Sequence, residues 1–91
     1  MRYIIFQGGN GYSGCSYTDG NIYEDNISDA KLDAISWDIC VGYAQGYEYM
    51  IEENLDENED LDEVLEDYYM NIYHNWKEVS KEEYQNILFG D

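Results

Sequence analysis

The distribution of charge along the chain is the feature that most restricts what it can fold into. The sequence has 21 acidic residues and only four basic ones, Arg2, Lys31, Lys77 and Lys81, which gives a formal net charge of −17. No basic residue occurs from position 32 to position 76, whereas 13 acidic residues do. Because repulsion between like charges opposes compaction, the fold must spread its carboxylates over solvent-exposed surface and form a core from its apolar residues.

Size and composition indicate one small domain that comprises residues 1–91. Forty-four per cent of the residues are hydrophobic, which is normal for a globular protein and too high for a fully disordered one. No apolar run approaches the ~20 residues that span a bilayer, and the apolar segment near the N-terminus is too short for a signal peptide. We therefore expect a cytoplasmic protein with a modest core, in which Cys15 and Cys40 are reduced thiols.

The first quarter of the chain predicts short strands. Tyr3–Gln7 is rich in β-branched and aromatic residues, which favours a first strand. Residues 8–14 predict a glycine-rich turn. Ser16–Thr18 and Ile22–Glu24 predict two further short strands, separated by the turn-forming residues at 19–21 (Asp-Gly-Asn). Together these segments predict a β-hairpin or a small antiparallel meander.

Three later segments predict helices. Ser28 is a suitable N-cap for a helix over about 29–44, where apolar residues recur at helical spacing. Asp60 can cap a second helix, and Ser80 opens a capping box before a short helix that runs through Leu88. The apolar stripe of the second helix consists of Leu61, Val64, Leu65, Tyr68 and Ile72.

The segments between these helices complete the predicted fold. Residues 47–51 alternate only partly between polar and apolar side chains, so they are compatible with a strand or with a continuation of the preceding helix, and we favour the strand. Residues 52–60 predict an acidic loop. Residues 76–79 predict a strand or an extended link. The expected fold class is therefore α+β, with an N-terminal β-hairpin or short antiparallel sheet packed against two to three helices.

Residues 9–14 (Gly-Asn-Gly-Tyr-Ser-Gly) form the string G-x-G-x-x-G after the first predicted strand. In a dinucleotide-binding loop a helix opens at this point, because its N-terminal amides hold the pyrophosphate. Here the residues that follow predict strand and turn, and the negative charge of the chain would repel a phosphate. We interpret the loop as a hairpin turn, and its exposed Asn10, Tyr12 and Ser13 as a second candidate contact for a protein partner.

Metal and catalytic patterns are weak in this sequence. Residues 56–67 place acids or Asn at positions 1, 3, 5, 7 and 12 of an EF-hand loop, but the sixth position is Leu61 where a sharp turn needs Gly. His74 is the only histidine, so with Cys15 and Cys40 it offers too few ligands for a tetrahedral zinc site and no spacing typical of a nucleophile pair. We expect no enzymatic activity and assign no catalytic, cofactor-binding or metal-binding residue.

The densest negative charge lies in residues 48–67, which we call the acidic band. Its 20 residues include no base and eleven acids: Glu48, Glu52, Glu53, Asp56, Glu57, Glu59, Asp60, Asp62, Glu63, Glu66 and Asp67. If the band were one helix it would span about 30 Å, or about one charge per 2.7 Å, compared with about one per 1.7 Å of duplex DNA. Carboxylates one helical turn apart repel each other, so this density requires an explanation. The candidate partner-binding residues are these eleven acids together with Tyr69, since tyrosine is a favoured interface anchor.

In length, net charge and the possession of such a band, the chain resembles the small acidic inhibitors that phages and mobile elements encode as nucleic-acid mimics. This class includes anti-restriction proteins, inhibitors of uracil-DNA glycosylase and several anti-CRISPR proteins. The resemblance implies a non-enzymatic inhibitor that occupies the basic DNA- or RNA-binding channel of a host defence enzyme, most economically a nuclease, in the host cell cytoplasm. Members of the class share no common fold, so the resemblance assigns no role to an individual residue.

Other interpretations of the acidic band remain open at the level of the sequence. One alternative is a solvated face that serves only solubility; another is a divalent-cation-binding or acidic protein-interaction module. Direct binding to nucleic acid or to an anionic membrane is strongly disfavoured, because those partners require a basic face.

Overall fold

The computed structural model describes residues 1–90, which form a three-stranded antiparallel sheet covered by helices. The elements in chain order are β1 (Arg2–Asn10), β2 (Ser16–Tyr23), α1 (Asp29–Gly46), α2 (Glu48–Glu53), α3 (Leu61–Met70), β3 (Ile72–Val79) and α4 (Lys81–Phe89). The expected α+β class is confirmed: the sheet is accompanied by three helices of nine residues or more and by the short helix α2.

The central strand of the sheet is β1, and the strand order is β2-β1-β3. Both neighbours run antiparallel to β1, so that Phe6 lies between Asp19 of β2 and Trp76 of β3. Residues 11–15 connect β1 to β2, so the prediction that the glycine-rich segment forms a hairpin is confirmed. The turn is shorter than the predicted 8–14, because β1 continues as far as Asn10 and Gly8 and Gly9 pair with β2.

One face of the sheet forms the main core against α1. Ile4 and Phe6 point to this face of β1 and, together with Leu32 of α1, are fully buried. Partly buried hydrophobic residues surround this centre: Tyr17, Tyr23, Ile27, Ile35, Ile39 and Trp76. Because side chains alternate along a strand, Tyr3 and Ile5 point to the opposite face, where Tyr84 of α4 contacts Tyr3 with ring centroids 5.5 Å apart.

The prediction that Asp19-Gly20-Asn21 forms a turn is wrong. These residues lie within the continuous strand β2, where Gly20 pairs with Ile5. A Cβ at Gly20 would come within 2.6 Å of Leu88 and 3.0 Å of Tyr84. The glycine therefore makes room for α4 against the sheet, which is a long-range packing requirement that local turn statistics do not contain.

The prediction of a strand at residues 47–51 is also wrong, because this segment enters helix α2. The acidic band is consequently not one helix. It comprises α2, a loop over residues 54–60 and most of α3, and the two helices contact each other. Ile72, expected on the helical stripe, is the first residue of β3 and pairs with Asn10, and the segment at 76–79 belongs to the same strand.

The predicted helix starts are confirmed. The backbone N–H of Lys31 donates to the Ser28 hydroxyl (3.1 Å), and that of Glu83 donates to the Ser80 hydroxyl (3.1 Å). Asp60 caps α3 in the same way. Each cap satisfies a backbone donor that the helix itself leaves without an acceptor.

Three of the four basic residues lie at one end of the sheet. Arg2 begins β1 and donates to the carbonyl oxygen of Ile27 (2.7 Å), just before α1, so Lys31 in the first turn of α1 lies at the same end. Lys81 follows Val79, which pairs with the second residue of β1.

The acidic band begins at the other end of the sheet. There the side-chain amide of Asn10 donates to the carbonyl oxygen of Tyr68 in α3 (2.7 Å), and the Tyr68 hydroxyl donates to that of Ala44 near the end of α1 (2.8 Å). The described molecule measures 51 × 32 × 15 Å, and its radius of gyration of 15.8 Å exceeds the roughly 12 Å of a compact domain of this length. The basic residues Arg2, Lys31 and Lys81 and the acidic band are thus separated along an elongated molecule.

Candidate functional site

The acidic band is almost entirely exposed to solvent. Of its eleven acids only Glu48 is half-buried, and the others are exposed: Glu52, Glu53, Asp56, Glu57, Glu59, Asp60, Asp62, Glu63, Glu66 and Asp67. Because α2 and α3 contact each other, the band presents its charge on two short helices and the loop between them rather than along one rod.

None of these eleven acids has a basic partner among residues 1–90. The ion pairs within that part of the chain use Asp25, Asp29 and Glu78, which lie at the end of the sheet where β1 begins. Arg2 alone takes part in two of them, and its hydrogen bonds to Glu78 and Asp29 raise the pKa of its guanidinium. The carboxylates of the band therefore repel one another without an internal cation to offset the repulsion.

Two band residues also have structural roles. The Asp60 carboxylate accepts a hydrogen bond from the backbone N–H of Asp62 (3.0 Å), as the N-cap of α3. The Glu59 carboxylate accepts one from the backbone N–H of Asp56 (3.2 Å), which closes the turn before α3. Substitutions at these two positions therefore affect the local structure as well as the charge.

Tyr69 and Glu48, both predicted to contact a partner, bind each other. The Tyr69 hydroxyl donates a hydrogen bond to the Glu48 carboxylate, which links α3 to α2. Burial raises the pKa of Tyr69, and this hydrogen bond raises it further. The structure thus places Tyr69 within the packing of the band, while the neighbouring Tyr49 is exposed over 56% of its surface.

The hairpin tip lies against the acidic band. The prediction that Asn10 is exposed is wrong: it is buried and organises the tip from within, because its side-chain carbonyl accepts hydrogen bonds from the backbone N–H groups of Tyr12 (2.7 Å) and Ser13 (3.3 Å). Gly14 has a φ of 75°, a conformation that glycine adopts without steric cost. The structure therefore brings the two candidate contacts of the sequence, the tip and the band, to the same end of the molecule.

A groove with a volume of about 170 Å³ separates the hairpin tip from α2 and α3. Its lining combines the apolar side chains of Met50, Leu55 and Val64 with Tyr12 and with the carboxylate-bearing Glu59. The sequence indicates Tyr12 as a possible contact but not the apolar lining, because a strand at residues 47–51 followed by a loop does not place Met50 and Leu55 beside Val64. Only the packing of α2 beside α3 shows that these residues share a surface.

The glycine-rich string does not form a nucleotide-binding loop. The segment after Gly14 leads into the strand β2 and not into a helix. The adjacent small pocket, lined by Cys15, Tyr17 and Cys40 among others, has a volume of about 20 Å³, enough for about one water molecule. Burial raises the pKa of Tyr17.

The thiols and the histidine do not pair with each other. Cys15 and Cys40 are free, and the Cys40 thiol donates to the carbonyl oxygen of Tyr73 (3.4 Å). His74 instead shares a hydrogen bond between its Nδ1 atom and the buried hydroxyl of Ser36 (2.9 Å). The contact fixes the imidazole ring against α1.

The EF-hand-like pattern at residues 56–67 lies partly in a helix. Helix α3 begins at Leu61, the sixth position of the pattern, so its second half is helical where the calcium loop needs a turn. Within residues 1–90, no group of three or more His, Cys, Asp or Glu side chains is arranged to hold a metal ion.

None of the helices in residues 1–90 is long and apolar enough to cross a membrane. Comparisons with models of protein families, with curated proteins and with solved structures found no match to this chain.

Proposed function

We propose that this protein is a non-enzymatic inhibitor that occupies the nucleic-acid-binding groove of a basic host enzyme, as a mimic of DNA or RNA. One observation carries the proposal: ten exposed carboxylates of the acidic band share one end of the molecule and have no basic partner among residues 1–90. A solubilising role does not require the charge to be concentrated in this way. A row of phosphate-binding Lys and Arg side chains supplies the counter-charge that the chain itself lacks.

The charge separation along the molecule supports this interpretation. Arg2, Lys31 and Lys81 lie at the end of the sheet opposite the hairpin tip. Acids at that end are partly offset by these bases and by the N-terminal amine, whereas the band has no such cation. A basic groove would therefore attract the acidic band more strongly than the far end, which orients the approaching protein. Under this proposal the target is a nuclease of a host defence system, of the kind that anti-CRISPR and anti-restriction proteins inhibit, and the inhibitor acts in the host cell cytoplasm.

The test begins with capture from a bacterial lysate on the immobilised protein, at about 0.05 M and about 0.5 M NaCl. Because the interaction depends on exposed charges, we expect capture of nucleic-acid-binding proteins at low salt and their release at high salt. A captured enzyme is then assayed for binding to its own DNA or RNA, with the inhibitor as competitor. Simultaneous binding of inhibitor and nucleic acid, or capture that is unaffected by salt, would contradict the proposal.

Two matched triple variants locate the interface. Glu63→Lys, Glu66→Lys and Asp67→Lys reverse exposed charges of the band, whereas Glu24→Lys, Asp38→Lys and Glu82→Lys reverse exposed charges elsewhere. Each set moves the formal net charge from −17 to −11, since each replacement adds two positive charges, and each includes one acid from the first turn of a helix. We expect the band set to weaken competition by more than about tenfold and the other set by less than about threefold. Equal effects would mean that net charge, and not the band, governs binding.

A further inference from the structure

The groove between the hairpin tip and the acidic band is lined by both apolar and charged side chains, and this combination restricts which ligands fit it. Its apolar side is formed by Met50, which is 36% exposed, and by the half-buried Leu55 and Val64. Tyr12, 46% exposed, and the exposed carboxylate of Glu59 complete it. An occupant that satisfies all of these groups must be apolar along part of its length and carry a positive charge.

One wall of this groove is held in place by the fold. The backbone N–H of Tyr12 donates to the Asn10 side chain (2.7 Å), and the Tyr12 ring meets the buried ring of Tyr68 edge-on, with centroids 6.5 Å apart and planes at 90°. The other wall is fixed by the hydrogen bond between the Asn54 side-chain amide and the carbonyl oxygen of Met50 (2.7 Å). Groups that are ordered before binding lose less conformational entropy when a ligand arrives.

The negative charge around the groove excludes most other ligands. An anionic ligand would be repelled by the eleven acids of the band, and a purely apolar side chain would leave the Glu59 carboxylate beside it without a counter-charge. Long cationic side chains lay their methylene groups along apolar surface while the charged head stays in contact with polar groups. Arginine suits this groove better than lysine, because its planar guanidinium stacks on an aromatic ring and binds a carboxylate through two hydrogen bonds.

We propose that this groove binds one arginine side chain of the basic partner, with the methylene groups on Met50, Leu55 and Val64 and the guanidinium between Tyr12 and Glu59. This inference rests on the proposed function, since it assigns to a nucleic-acid-binding partner the residue type that anchors it. It adds an anchoring contact to an interface whose other contacts are long-range and electrostatic. Arginine is enriched in protein interfaces and prominent among the residues that dominate their binding energy.

The experiment is a titration of the ¹⁵N-labelled protein by NMR with the blocked tripeptide Ac-Gly-Arg-Gly-NH₂. Two further peptides replace Arg by Lys, which keeps the charge, and by citrulline, which keeps the shape and removes the charge. We expect saturable shifts confined to the amides around the groove, at Tyr12, Ser13, Asn54 and Leu55. The affinity for the Arg peptide should exceed that for the Lys peptide by about threefold, and the citrulline peptide should give no saturable shift.

Variants of the protein test the two polar contacts. Glu59→Gln and Tyr12→Leu should each weaken binding of the Arg peptide by about threefold or more, whereas Tyr12→Phe keeps the aromatic ring and should bind as the parent does. Gln at position 59 retains a side-chain carbonyl oxygen as acceptor for the backbone N–H of Asp56, so Glu59→Gln removes the charge and preserves the turn. Glu57→Gln is the matched control, because it removes one charge from the same loop at a residue that does not line the groove. The dispersion of each variant's spectrum shows whether it is folded. If Tyr12→Leu does not fold, the comparison of Glu59→Gln with Glu57→Gln tests the arginine site.

Shifts that spread over the whole band without saturation would overturn the arginine site, as would equal affinity for the Lys and Arg peptides. Equal effects of Glu59→Gln and Glu57→Gln would also overturn it. These outcomes are independent of the lysate experiment, whose triple variants leave Tyr12 and Glu59 intact. Salt-dependent competition can therefore hold while the groove binds no arginine, and the groove can bind the peptide even where no nucleic-acid enzyme is captured.

Discussion

At the scale of single residues, Asn10 connects the hairpin tip to α3. It is only 4% exposed. Its side-chain amide donates to the carbonyl oxygen of Tyr68 (2.7 Å), while its side-chain carbonyl accepts from the N–H groups of Tyr12 (2.7 Å) and Ser13 (3.3 Å). A buried polar group that loses its partner costs about 1–3 kcal/mol. Asn10 thus holds both walls of the candidate site in position.

We expect Asn10→Ala to lower the free energy of unfolding by about 1–3 kcal/mol. It removes the buried hydrogen bond to the Tyr68 carbonyl oxygen, which keeps only the bond from the backbone N–H of Asn71 (3.3 Å), and it leaves the partly buried N–H of Tyr12 without its acceptor. Urea unfolding followed by circular dichroism measures this change. Asn75→Ala is the control, since Asn75 is exposed on β3, and it should change stability by less than about 0.5 kcal/mol. Equal stability of the two variants would show that the Asn10 hydrogen bonds contribute nothing net.

Asn10→Asp tests the donor and the acceptor of this side chain separately. The carboxylate keeps the acceptor for Tyr12 and Ser13 but replaces the donor by a negative charge that faces the carbonyl oxygen of Tyr68. We therefore expect this variant to be destabilised as well. If it were as stable as the parent, the bond to Tyr68 would not hold the tip against α3.

At the scale of secondary-structure elements, the N-cap of α3 shows how stability and binding overlap in the acidic band. The Asp60 carboxylate accepts from the backbone N–H of Asp62 (3.0 Å). We expect Asp60→Ala to lower the free energy of unfolding by about 1 kcal/mol and Asp60→Asn by only a few tenths, because Asn also caps helices well. Both replacements remove the same charge, so the difference between them in urea unfolding isolates the cap.

Asp56→Ala provides the charge control for this comparison. Asp56 is exposed in the same loop, and its hydrogen bond to Glu59 is made by its backbone N–H rather than its side chain. Removing its charge relieves repulsion within the band, so we expect it to be neutral or slightly stabilising. Equal destabilisation by Asp56→Ala and Asp60→Ala would contradict a specific role for the cap.

The elements that could be predicted from the sequence are those specified by local signals. Ser28, Asp60 and Ser80 are capping residues followed by helical periodicity, and the helices begin where they indicate. The wrong predictions concern segments whose structure depends on distant partners. Gly20 lies within a strand over which Leu88 of α4 packs, and residues 48–51 are helical, in the element that packs beside α3.

The candidate site could be predicted only in part, because some of its features are local in the sequence and others depend on the fold. The eleven acids are evident from the sequence, because charge density requires no knowledge of the fold. The groove was not, since Tyr12 lies some forty positions before Leu55 and fifty before Val64, and their proximity follows from the pairing of β1 with β3 and the contact of Asn10 with α3. No local pattern encodes such a juxtaposition.

At the scale of the whole molecule, the negative charge that would attract a basic partner also destabilises the fold. The acidic band carries eleven negative charges without a base, in a molecule 51 Å long. At about 0.01 M salt the Debye length is about 30 Å, so much of the band repels itself, whereas at about 0.15 M it is about 8 Å. Added salt should therefore stabilise the isolated protein and weaken its complex, and this difference in sign separates the two effects.

We expect the free energy of unfolding in urea to rise by on the order of 1 kcal/mol between about 0.01 M and about 0.15 M NaCl, since each close pair of acids contributes a few tenths of a kcal/mol of repulsion. The variant with Glu63, Glu66 and Asp67 changed to Lys should show a smaller rise, because it places cations among the remaining acids of the band. The variant with Glu24, Asp38 and Glu82 changed to Lys has the same net charge but leaves the band intact, so its salt dependence should stay closer to that of the parent. If the stability of the parent protein did not change with salt, or fell, repulsion within the band would not destabilise the fold. If the two variants responded equally to salt, the effect would be due to net charge rather than to the band.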